Sequence, residues 1–139
     1  MCLVIKVKQN WLKRIFKKIP PMPQIAKGNI RCFKVYEKTR DGTLLSTAMK
    51  HENVLGLQPV VKLGINNVKG DSYTKYNVEE GYHSFIHKRD AFALSRQYSG
   101  YAVYQCIIPK GTTYYEGTLN GGEPNYVSSQ IIILKEVER

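Results

Sequence analysis

Between residues 30 and 134, glycine, proline and asparagine cut the chain into β-forming runs of roughly four to eight residues, and only one stretch among them suits a helix. Ile30-Arg31-Cys32-Phe33-Lys34-Val35-Tyr36 and Tyr101-Ala102-Val103-Tyr104-Gln105-Cys106-Ile107-Ile108 read as strands. Arg40-Asp41-Gly42-Thr43 is a turn into a strand at Leu44-Leu45-Ser46, a hairpin signal. Shorter strands are expected at residues 1–8, 60–63, 81–85 and 112–116. Gln130-Ile131-Ile132-Ile133-Leu134 is apolar on both faces, which predicts a central strand. Residues 64–81 hold Asn66, Asn67, Gly70, Asp71 and Asn77 and read as loops interrupted by a weak strand; residues 119–125 read as another loop. The helix is expected over residues 87–98, with Ala91, Leu94 and Tyr98 on its inner face. The expected class is α+β: a mixed, mainly antiparallel sheet with one packed helix.

Charge divides the chain differently. The first 40 residues carry 11 Lys/Arg against the single acid Glu37, while the remaining 99 carry 10 of each sign, so the formal net charge of +10 sits at the front. Within that front, Trp11, Leu12, Ile15, Phe16 and Ile19 share one face of a helical wheel and Lys13, Arg14, Lys17 and Lys18 the other. Pro20, Pro21 and Pro23 end the pattern, because proline lacks an N–H and keeps its predecessor out of the helical region. The sequence thus predicts a basic N-terminal segment with an amphipathic helix and a proline linker over 1–23, the helix lying at Trp11 to Ile19, ahead of a single nearly neutral α+β domain over 24–139. Such an arm suits nucleic acid, a nucleotide, an acidic protein surface or a peripheral contact with an anionic membrane. It also suits packing on its own domain or on a second subunit of a homo-oligomer.

Cys2, Cys32 and Cys106 are odd in number and widely spaced, which reads as reduced thiols in a cytoplasmic protein, neither a disulfide framework nor a zinc site. No apolar run approaches the ~20 residues a membrane span needs. Ten tyrosines against four phenylalanines suit half-buried strands and binding surfaces.

Gly81-Tyr82-His83-Ser84-Phe85, then Asp90-Ala91, Cys106-Ile107-Ile108-Pro109-Lys110-Gly111, Tyr114-Tyr115-Glu116-Gly117 and Tyr126-Val127-Ser128 form an ordered pattern. It resembles a recurring group of small uncharacterised proteins of bacteriophages, prophages and gut bacteria, over roughly residues 30–137; Met1-Cys2-Leu3 is similar to many of their N-termini. The resemblance supplies no reaction. It implies a mobile-element factor that antagonises a host process, an immune antagonist for example, in the host-cell cytoplasm.

Two groupings of residues suggest chemistry. His83, His87, Lys88 and Arg89 gather where a new helix presents free N–H groups, a candidate anion pocket. The His83-x-x-x-His87 spacing occurs in zinc sites, but no third ligand is near in sequence and no metal is expected. Arg31, Ser84 and Glu116, in that order, resemble the R-S-E layout of ADP-ribosyltransferases, which implies that arginine holds cofactor phosphates and glutamate orients the nucleophile and ribose. Ser84 lies outside an S-T-S motif, and Tyr114 stands where a second Glu or Gln belongs. The expectation is therefore a binding protein for an anionic ligand, nucleic acid or phosphorylated nucleotide, without catalysis or cofactor; the transferase and a membrane-peripheral or protein-interaction module are the alternatives.

Overall fold

The computed structural model describes residues 3–8, 22–46, 52–69, 73–119 and 122–138. The amphipathic arm, with Lys13, Arg14, Lys17 and Lys18, lies outside the described residues. In chain order the strands are β1 (Leu3–Lys8), β2 (Gln24–Ile25), β3 (Ile30–Lys38), β4 (Leu44–Ser46), β5 (Glu52–Asn53), β6 (Gly56–Leu57), β7 (Gly64–Lys69), β8 (Tyr73–Glu80) and β9 (Tyr82–Phe85). Helix α1 (Lys88–Ser95) follows, then β10 (Tyr101–Ile108), β11 (Thr113–Thr118), β12 (Pro124–Ser128) and β13 (Ile132–Val137). They form one sheet in the order β6-β13-β10-β3-β9-β12-β11-β1-β8-β7, with β2 added to β11 and the β4–β5 pair to β3. Every pairing among the described residues is antiparallel. The class is a mainly antiparallel sheet with one helix among the described residues.

The β3–β4 hairpin forms as its turn residues dictate. Gly42 takes the left-handed φ of 87°, and the Asp41 carboxylate accepts from the Thr43 amide at 3.0 Å and from the Thr39 hydroxyl. Strand β1, from the basic front, lies between β11 and β8 and pairs with β8 from Leu3↔Val78 to Lys8↔Tyr73.

Alternation along β3 and β10 divides the core between two faces. Cys32, Tyr36, Tyr104, Cys106 and Ile108 lie on one, with Ile131 and Ile133 packed against them. Val35 and Val103, with Phe85 of β9, lie on the other, under Ala91 and Phe92 of α1. Helix α1 is shorter than the sequence pattern predicts. Its inner face is Ala91, Phe92 and Ser95 with Leu94 half-buried against the same core, while Tyr98 lies beyond its end and is exposed.

Three further expectations change. Residues 64–69 and 73–80, read as loops interrupted by a weak strand, form the antiparallel pair β7 and β8, because cross-strand pairing outweighs the turn preference of the asparagines. Residues 60–63 are not a strand, and Pro124–Ser128 is one. Strand β13 is second from an end of the sheet, not central: its outer neighbour is the two-residue β6.

Gly81 is the single residue between β8, which pairs with β1 and β7, and β9, which pairs with β3 and β12. Its φ is 133°, and an added Cβ would stand 2.5 Å from Val127 Cγ1 and 2.7 Å from Leu63 Cδ2. Gly42 also has positive φ but open space around it. Urea unfolding should show Gly42→Ala losing about 1 kcal/mol and Gly81→Ala about 3 kcal/mol or more, the excess coming from overpacking. Equal losses would show that backbone conformation alone selects glycine at position 81.

Candidate anion-binding face

On β3 the side chains of Cys32, Lys34 and Tyr36 share a face, by strand alternation. Cys32 and Tyr36 are fully buried, so Lys34 puts an ammonium where the pattern calls for an apolar group. Its Nζ donates to the His83 carbonyl at 2.7 Å and lies 5.3 Å from the centre of the Tyr36 ring. Burial pushes its pKa down to about 8, against the smaller opposing influence of the Cys106 and Cys32 thiols. Among the described residues the ion pairs are Lys38–Glu136 at 3.1 Å and Arg89–Asp90 at 3.9 Å; no carboxylate pairs with Lys34.

Strand register builds a row around this cation. Tyr104 of β10 pairs directly with Lys34. On the other side, the Phe33↔Phe85 pair brings the next position, Ser84, opposite Lys34; Ser84 pairs with Tyr126, and Tyr126 with Glu116. Ser128, two residues along β12 on the same face, pairs with Tyr82 and Tyr114. Two edge-on ring contacts stiffen the face: Tyr36–Tyr104 at 5.8 Å and Tyr114–Tyr126 at 5.6 Å between centroids. Tyr82, Tyr114 and Tyr126 remain part-exposed.

Three buried hydroxyls on this face, Tyr36 OH, Ser84 Oγ and Ser128 Oγ, have no hydrogen-bond partner among the described residues. The Ser84 hydroxyl interacts with the Cys32 thiol, which lowers the thiol's pKa against the larger effect of burial. Buried hydroxyls are normally paired, so an unpaired group of three beside an unpaired cation marks a face with unused capacity for oxygen-rich ligands. The thiols are a different matter. Cys32 and Cys106 pair directly across β3 and β10, both free and fully buried. Burial raises both pKa values, that of Cys32 to about 11, which makes them poor nucleophiles.

The residues singled out from sequence distribute unevenly around this face. Both ring nitrogens of His83 meet carbonyls, Nδ1 that of Gly81 at 3.2 Å and Nε2 that of Val78 at 3.1 Å. Burial, and then the Lys34 charge, push its pKa down to about 4 although both carbonyls favour the cation. His83 is therefore neutral at pH 7 and ties β9 to the end of β8. His87 is the exposed N-cap of α1, Lys88 Nζ lies 5.8 Å from the Phe92 ring centre, and Arg89 leans on Asp90. The helix entrance and the His83 ring thus have separate engagements. Ser84 and Glu116 stand in one row with Tyr126 between them, whereas exposed Arg31 alternates with Cys32 and shares the side of Phe33 and Val35. The structure does not bring Arg31 to Ser84. Among the described residues no three His, Cys, Asp or Glu side chains gather as a metal site, and no helix is long and apolar enough to cross a membrane.

Lys34, Tyr36, Tyr104, Tyr126 and Ser128 belong to this candidate face, and the sequence reading gave none of them a binding role. The one linear signal was a lysine at the inward positions of a strand, between Cys32 and Tyr36.

Folded Lys34 releases its proton near pH 8, and the unfolded chain releases it near 10.5. Below pH 8 both states are charged and the burial cost is fully felt, so Lys34→Met should stabilise the fold by about 1–3 kcal/mol. Between pH 8 and 10.5 the unfolded chain holds the extra proton, so wild type gains on the variant as pH rises. Urea unfolding of the pair at pH 7, 8, 9 and 10 checks this; a constant difference would contradict it.

The chain matches no protein-family model, no curated protein and no solved structure.

Proposed function

We propose that this protein binds a phosphate-bearing nucleotide on the Lys34 face and does no covalent chemistry on it. The carrying observation is the Lys34 ammonium, part-buried with no carboxylate partner among the described residues and set in a row with Tyr104, Ser84 and Tyr126. A phosphate supplies the missing negative charge and accepts a hydrogen bond from the ammonium. The part-exposed rings of Tyr82, Tyr114 and Tyr126 offer stacking surface for a base, a contact that tolerates any base because each has a π-face. The high pKa of the buried thiols favours binding over nucleophilic catalysis. The charge surplus of the first 40 residues, to which Lys34 belongs, draws anions toward the chain as a whole. With the resemblance to proteins of mobile elements, this reading makes the protein a factor that sequesters a host nucleotide.

Calorimetric titration with mononucleotides, cyclic dinucleotides and a short single-stranded RNA tests the reading. At least one ligand should bind, Lys34→Met should weaken it about tenfold or more, and binding should fall as salt rises. Affinity should also decline from about pH 8, where Lys34 begins to lose its charge, and not from the ordinary lysine value of 10.5. Absence of binding by every ligand at low salt, or binding indifferent to Lys34→Met, overturns it.

A further inference from the structure

At the far end of the sheet from β7, the chain leaves apolar side chains in solvent. Val54, Leu55, Leu57 and Val60 are each 60% exposed or more, and Val61 and Leu134 are 36% and 40% exposed. They lie along one end of the sheet because residues 57–61 are tied to the chain that leads into β13. Leu57 pairs with Ile132, the Gln58 amide donates to the Ile131 carbonyl at 2.9 Å, and the Val61 amide donates to the Ser129 carbonyl at 2.8 Å. The buried Gln58 amide group holds the approach from inside by donating to the carbonyls of Val54 and Gly56. The patch is therefore shaped before any partner arrives, which lowers the ordering cost of association.

We infer that this patch is a two-fold interface between two copies of the chain. Size is the first argument. On ordinary side-chain areas the six residues expose about 500 Å² of apolar surface, near the upper end of what a monomer leaves bare, and with a polar rim they approach the roughly 800 Å² per partner of a standard interface. Charge is the second. The exposed ionic residues near the patch are Glu52, Glu136 and Glu138 against Lys62, Lys135 and Lys38, which pairs with Glu136 at 3.1 Å, an even balance in a chain whose net charge is +10. A second copy brings its own acids and bases to the same rim, so it meets no net repulsion there. The surplus charge that would oppose self-association lies in the first 40 residues. An isologous contact also uses the same surface twice, which suits an apolar patch that needs no complementary sign.

The full chain in sedimentation equilibrium should give twice the mass of one chain at micromolar concentration. The dimer should persist or tighten as salt is raised, as apolar association does. Leu57→Glu and Val60→Lys, each at a side chain more than half exposed, should return the chain to monomer with an unchanged circular-dichroism spectrum. A wild-type chain that stays monomeric across the concentration range overturns the inference, and so does a dimer that survives both substitutions. Nucleotide binding by the monomeric variants would leave the Lys34 reading standing on its own.

Discussion

The eight-residue pairing of β3 with β10 fixes everything else in this structure. Its register runs from Ile30↔Ile108 to Glu37↔Tyr101, and it decides which side chains meet on which face. Val35 against Val103 builds the face that α1 covers, and Cys32 against Cys106 builds the opposite one. A slip of one residue would send Lys34 under the helix and expose Val35 to the tyrosine face, so register is enforced by burial on both sides. Lys34 is placed beside Tyr104 by the same pairing. The candidate site is a consequence of how the core is keyed.

That placement works against stability. An ammonium on a part-buried face with no acid to neutralise it raises the free energy of the folded state, as its depressed pKa records. Tyr36, Ser84 and Ser128 add three buried hydroxyls without partners among the described residues. Methionine at 34 and apolar residues at the others would suit the core better. Local departures from good packing and pairing, concentrated on one face, are what a binding site requires and a purely structural face does not.

Much of the scaffold was legible in the sequence, because its signals are local. Asp41-Gly42 specifies the β3–β4 turn through an Asx contact and a positive φ, and the β-rich run at residues 101–108 forms β10 as expected. What escaped depends on distant partners. Asn66, Asn67 and Asn77 favour turns individually, and only the pairing of β8 with β7 and β1 makes them strand residues. Ile131 to Leu134 looked central because it is apolar on both sides, but Ile131 and Ile133 fill the core while Leu134 is exposed at the sheet's end, beside Leu57. The site escaped for a related reason. Lys34, Tyr104, Ser84 and Tyr126 sit on four strands whose order in the sheet differs from their order in the chain. Counting charge along the sequence drew attention to the arm at Lys13–Lys18, while the lysine that bears on the fold was one of eleven Lys and Arg residues in the same basic front.

The central claim is that Lys34 carries an uncompensated charge which a nucleotide phosphate neutralises. Carbon-detected NMR of the lysine side chains, with Lys34 assigned by substitution, measures this directly. The Lys34 Cε resonance should titrate near pH 8 in the free protein and move to higher pH when a nucleotide that binds is added. Titration near 10.5 in the free protein, or a midpoint near 8 that no added nucleotide shifts, would contradict the account.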